Sequence, residues 1–91
     1  MRFDILCKPD SGSRCEAMVE VVRDALDKSG VEAEVHLFRD PRKLIDNRVY
    51  VVPALLVDDH VRIAGRIPET TEIMRILAEH PRYFKRLEKV A

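Results

Sequence analysis

The stretch Val51-Val52-Pro53-Ala54-Leu55-Leu56-Val57-Asp58-Asp59-His60-Val61-Arg62-Ile63-Ala64-Gly65-Arg66-Ile67-Pro68 carries the most specific pattern in this chain of 91 residues. From Val51 to Val57 it is apolar and interrupted only by Pro53. That is the pattern of a strand covered on both faces. Asp58-Asp59 reads as a tight turn, and His60 to Ala64 as the returning strand of a hairpin. In that strand Val61 and Ile63 are expected to face inward, with His60 and Arg62 outward. Gly65-Arg66-Ile67 leads to Pro68, a suitable first residue for a helix. Ile73, Ile76, Leu77 and Met74 give this helix an apolar face, and Pro81 limits it.

Upstream, Asp40-Pro41 predicts a cap followed by proline at the first helical position. The short helix runs to about Asn47, anchored by Leu44 and Ile45. Before it, Val31 to Phe38 alternates Ala33, Val35 and Leu37 against Glu34 and His36, which predicts a strand. The chain opens with another strand, Arg2 to Lys8. There Phe3, Ile5 and Cys7 point one way and Leu6 the other. Lys8-Pro9-Asp10-Ser11-Gly12 is a loop by its turn residues. Ser13 and Glu16 match a capping box for a helix that continues to about Ser29, where Gly30 stops it. Cys15, Met18, Val19, Val22, Ala25 and Leu26 form one apolar stripe on that helix.

The order is β-α-β-α-β-β-α. A βαβ unit demands parallel strands joined by a right-handed crossover. With the hairpin added, the expected fold is a four-stranded mixed sheet with helices on both faces. Residues 80–91 place Tyr83, Phe84, Leu87 and Val90 at helical intervals and read as a short C-terminal helical extension.

The composition is 46% apolar and 35% charged, that of a globular chain with one modest core. Net charge is zero, so no overall field draws nucleic acid or an anionic membrane. The basic run Arg82-Tyr83-Phe84-Lys85-Arg86 reads as a solvated helix face rather than an RNA site. No apolar run is long enough to span a bilayer. The N-terminus MRFDILCKPD lacks the features of a signal peptide, so a cytoplasmic location is expected. Two cysteines are too few for a disulfide scaffold, and in a reducing compartment a bridge is more often transient and functional.

The stretch from Val51 to Pro68 resembles the V-x-x-x-P-A-L-x-V signature of small glutaredoxin-like thioredoxins, and the element order resembles the thioredoxin fold over residues 1–79. The resemblance implies a cis peptide before Pro53, beside the redox cysteines, with Val52 pairing through its backbone with an extended substrate. It further implies a C-x-x-C at the start of the first helix, whose first thiol attacks and whose second resolves. Gly12-Ser13-Arg14-Cys15 stands in that place. Cys15 falls on the resolving position, and Gly12 occupies the nucleophile's. Cys7, at the end of the first strand, is a candidate substitute. Cys15 also reads as a small buried apolar residue, and Cys7 as strand packing.

Two functions follow as expectations. One is an atypical thiol–disulfide redox protein using Cys15 and Cys7. Its attacking thiolate lies near the helix N-terminus, and Val52 and Pro53 dock a partner protein's disulfide or thiol. The other is a redox-inactive thioredoxin-fold module that keeps the groove to bind a protein partner. A monomer is expected, with no cofactor. His36, His60 and His80 fall on different elements, so no metal site is expected. Ala64-Gly65-Arg66-Ile67-Pro68-Glu69 lacks the second glycine and acidic end of a glutathione-binding segment.

Overall fold

The structure, a computed structural model, describes residues 1–10 and 12–79. Its elements in chain order are β1 (Arg2–Leu6), α1 (Ser13–Ser29), β2 (Glu34–Phe38), α2 (Pro41–Asp46), β3 (Ala54–Val57), β4 (His60–Ala64) and α3 (Thr70–Ala78). The helical extension read over 80–91, and the limit set by Pro81, lie outside the described residues. The strands form one sheet in the order β2-β1-β3-β4. β1 and β2 are parallel, joined by α1, while β1–β3 and β3–β4 are antiparallel. This is a thioredoxin-like α/β architecture, as the element order implies.

The two-residue period of β1 sorts the core into two layers. Phe3 and Ile5, with Cys7 beyond them, pack with Leu55, Val57, the α1 stripe and Ile73, Ile76 and Leu77 of α3. Leu6 packs on the other face with Ala54, Leu56, Leu44 of α2 and Val49. β3 is therefore buried on both faces, which explains its unbroken apolar sequence. It begins at Ala54 rather than Val51, and β2 begins at Glu34 rather than Val31.

Several side chains depart from the alternation. Val61 is 44% exposed instead of inward. Leu55 pairs with Ile63 but Leu56 pairs with Val61, so Arg62 is an extra residue in the ladder. A one-residue bulge moves the side chains beyond it to the opposite face. Leu37, on the edge strand β2, is partly exposed beside Glu16, Val19 and Glu20 of α1. Ile45 is 73% exposed, because a helix as short as α2 turns one apolar residue, Leu44, onto the sheet. Asp58 and Asp59 both have positive φ, as a two-residue hairpin turn of the twist-matched type requires.

The helix ends also differ from expectation. Among the described residues, no side chain caps α1. Its cap is Gly12, and Glu16 instead accepts a 2.8 Å hydrogen bond from Arg39 at the end of β2. The capping box belongs to α3, where Glu69 is the cap and Glu72 the reciprocal acceptor. This helix starts after Glu69 rather than at Pro68. Arg66 grips the same Glu72 with two hydrogen bonds, of 2.8 and 2.7 Å.

The hydrogen bonds from Arg66, then that from the Glu69 backbone, lower the Glu72 carboxyl pKa to about 2. A depressed folded-state value means that the carboxylate's contribution is fully present above the unfolded value near 4.5, and is lost as pH falls toward 2. In urea titrations between pH 5 and pH 2.5, the wild-type midpoint is expected to fall more steeply than that of Glu72→Gln. Parallel slopes would show that the Arg66–Glu72 grip adds no acid sensitivity.

Gly65 joins β4 to the rest of this end of the sheet. Its φ is +82°, and its N–H donates to the Pro53 carbonyl at 2.9 Å. A Cβ there would lie 3.1 Å from Cγ2 of Val51 and 3.3 Å from its Cβ. Gly65→Ala therefore combines backbone strain with pressure on the segment before β3. The expected loss is about 1–3 kcal/mol, read as a lower denaturation midpoint at unchanged slope. A loss within about 0.5 kcal/mol, the range of a neutral surface change, would show that the Val51–Pro53 segment yields freely.

Candidate functional site

The sheet brings four loops to one end. β1 and β2 finish there, β3 starts there, and β4 returns there before α3. Cys7 follows β1 directly, and its N–H donates to the Phe38 carbonyl at 2.9 Å, which extends the β1–β2 ladder by one step. Cys15 is the third residue of α1. The two are joined as a disulfide with Cα atoms 6.4 Å apart, inside the range a bridge can span. The sulfurs are bonded to each other, and no free cysteine remains.

Both cysteines are fully buried. Cys15 continues the α1 stripe above Met18 and Val22, while Cys7 continues the Phe3–Ile5 row of β1. The packing readings and the bridge are therefore compatible: the same burial that makes each a core residue aligns them with each other. Gly12 supplies the entry into α1 with φ +67° and ψ −146°, a conformation that suits glycine. Among the described residues other than its chain neighbours, no atom lies within 4 Å of where its Cβ would stand. The residue at this position is exposed, whereas both sulfurs lie beneath the surface.

Leu6 pairs with Ala54 in the antiparallel β1–β3 ladder. Continuing that register by one residue sets Cys7 opposite Pro53. The Val52–Pro53 peptide bond is cis, and Pro53 is fully buried. Val52 is half-buried, whereas Val51 and Tyr50 are 52% and 84% exposed. Among the described residues, neither Val51 nor Val52 enters a backbone hydrogen bond. The disulfide is thus flanked by a bent segment, just before β3, whose Val51 and Val52 backbone donors and acceptors are unused and whose rim is apolar. The sequence reading missed that rim, because an apolar run before a strand reads as buried.

The charged residues next to the two cysteines in sequence are Lys8, Arg14 and Glu16. Glu16 follows Cys15 and is engaged by Arg39, and Arg14 precedes it and is exposed. Two shallow grooves, of about 600 and 300 Å³, run between α1 and β2. Neither is lined by a cysteine or by Pro53. Among the described residues, no group of three His, Cys, Asp or Glu side chains could hold a metal ion, and no helix is long and apolar enough to cross a membrane.

Comparison with known proteins adds a second line. The family model for the thioredoxin domain matches residues 1–78. A curated thioredoxin of Methanothermobacter thermautotrophicus is 26% identical over 66 residues, which cover 72% of this chain and 86% of that relative.

Proposed function

Since the chain belongs to the thioredoxin domain family, we propose that it is a thiol–disulfide redox protein whose Cys7/Cys15 pair exchanges with a disulfide or thiol of a partner protein. The observation that carries this reading is the bridge itself. It joins the strand end to the first turn of α1, at the end of the sheet where Pro53 and the unpaired backbone of Val52 lie. An extended segment of the partner docks along Val51–Pro53 by strand addition, which places its sulfur beside Cys7. The apolar rim of Tyr50 and Val51, and the absence of either sulfur from the two grooves, suit a polypeptide substrate better than an enclosed small molecule.

Exchange conserves sulfur bonds. The reduced pair gives two electrons to the partner's disulfide, which leaves as two thiols, and the pair becomes the bridge seen here. The expected setting is the cytoplasm, and the working unit a monomer.

A second reading is favoured by one observation, the complete burial of both sulfurs together with a glycine at the exposed cap position. In that reading the bridge is a strap, and the domain is a binding module that uses only the Val51–Pro53 edge. Titration of the folded protein with mixtures of reduced and oxidised glutathione separates the two. The redox reading expects reversible conversion between bridge and dithiol at a defined ratio, with both thiols alkylated after reduction under native conditions. A bridge that resists reduction until the chain unfolds would leave only the binding module.

A further inference from the structure

The family pattern assigns attack to the first helix cysteine, and Gly12 occupies that place here. We propose that Cys7, on the strand, carries the mixed disulfide with the partner, and that Cys15, on the helix, is the thiol that resolves it. The inference rests on the redox reading above and specifies its order of events.

Three observations carry it. First, accessibility does not choose between the sulfurs, since both cysteines are fully buried. Where access is equal, an incoming thiolate attacks the sulfur whose partner is the better leaving group. Second, the two partners differ as leaving groups. Cys15 is the third residue of a helix of 17 residues, so its thiolate lies among the unpaired N–H groups of the first turn. Arg14 adds positive charge next to it, and the one adjacent carboxylate, Glu16, is engaged by Arg39 at 2.8 Å. Cys7 follows a strand: Lys8 adds a positive charge beside it as Arg14 does beside Cys15, but no helix N-terminus lies at it, so the helix field separates the two. Third, the β1–β3 register sets Cys7 opposite Pro53, next to the segment where a partner chain can add.

In the reducing direction, the Cys7 thiolate attacks one sulfur of the partner's disulfide. The partner's other sulfur departs as a thiolate and takes a proton from solvent. The Cys15 thiolate then attacks Sγ of Cys7, the Cys7–partner bond breaks, and the partner's second sulfur leaves. The Cys7–Cys15 bridge has formed, and two electrons have passed to the partner. Reduction by an external thiol retraces this path: its thiolate bonds to Cys7 and expels Cys15.

The test uses oxidised wild-type protein, with reduced glutathione as the attacking thiol. The reaction is quenched in acid, free thiols are blocked with N-ethylmaleimide, and the peptides are mapped by mass. Glutathione is expected on Cys7 and the maleimide on Cys15, in about tenfold excess over the reverse pattern. Glutathione on Cys15, or an equal distribution, would overturn the order of attack while leaving the redox function intact. No mixed disulfide together with no reversible bridge in the glutathione titration would overturn both. The equilibrium with oxidised glutathione gives an independent readout on the folded Cys7→Ser and Cys15→Ser variants. The thiol with the weaker thiolate makes the more stable mixed disulfide, so Cys15→Ser is expected to hold glutathione about tenfold more tightly than Cys7→Ser. The opposite ranking would also overturn the proposal.

Discussion

Reduction of the Cys7–Cys15 bridge is expected to lower the melting temperature by about 10–20 °C, measured by calorimetry with and without a phosphine reductant. The bridge spans a sequence separation of eight residues. Releasing so short a loop returns about 2.5 kcal/mol of chain entropy to the unfolded state. In a domain of this size each kcal/mol moves the midpoint by about 4–8 °C. Little of the loss is expected from the folded side. Both sulfurs remain in the core after reduction, and a buried thiol packs as a small apolar group. The double variant Cys7→Ala, Cys15→Ala should therefore fall at least as far as the reduced protein, with a further loss from the removed sulfur atoms. The coupling is reciprocal: the fold stabilises the bridge by as much as the bridge stabilises the fold. A large shift would mark a pair that favours the oxidised state and serves well as a reductant. A shift of only a few degrees would show that the unfolded chain already holds Cys7 and Cys15 close together.

The sequence reading succeeded where one local period decides the outcome. The alternation in β1 separates Phe3 and Ile5 from Leu6, and the unbroken run through Leu55 and Leu56 marks the central strand. It failed where a single residue changes register or where two templates compete. The bulge at Arg62 leaves no compositional trace, so Val61 was assigned to the wrong face. Ser13 and Glu16 fit the capping template, but Gly12 can adopt the backbone angles of the cap without a side chain, and Arg39 claims Glu16. The box that does form uses Glu69, and glutamate is not among the preferred cap residues. At the site, the position of Pro53 and the place of Cys15 on the buried stripe were legible. The bridge was not, because the Cα separation of Cys7 and Cys15 depends on how α1 lies across β1. No local pattern records that tertiary distance.

Placing a thiol at the exposed cap is expected to have the largest effect on activity: Gly12→Cys should raise the rate of protein-disulfide reduction by about 10–100-fold. In wild type an attacking or attacked sulfur must first be uncovered, since both lie in the core. Local opening of a packed segment consumes free energy before chemistry begins, and each 1.36 kcal/mol removed from that barrier is about tenfold in rate. The cap position is exposed, with no described atom beyond its chain neighbours within 4 Å of the added Cβ, so the new sulfur reaches solvent without opening. It also lies at the N-terminus of α1, where backbone N–H groups favour the thiolate. The substitution is not free, because φ there is +67°, and a side chain in that region costs about 1–3 kcal/mol. A lower melting temperature should therefore accompany the faster rate. Reduction of insulin by a dithiol, followed by turbidity, reads the rate. Carrying Cys7→Ser in the same chain shows whether Cys15 resolves the new mixed disulfide by itself. An unchanged rate in a folded variant would mean that docking along Val51–Pro53, rather than access to sulfur, limits turnover. That outcome would move the domain's principal role from exchange to binding.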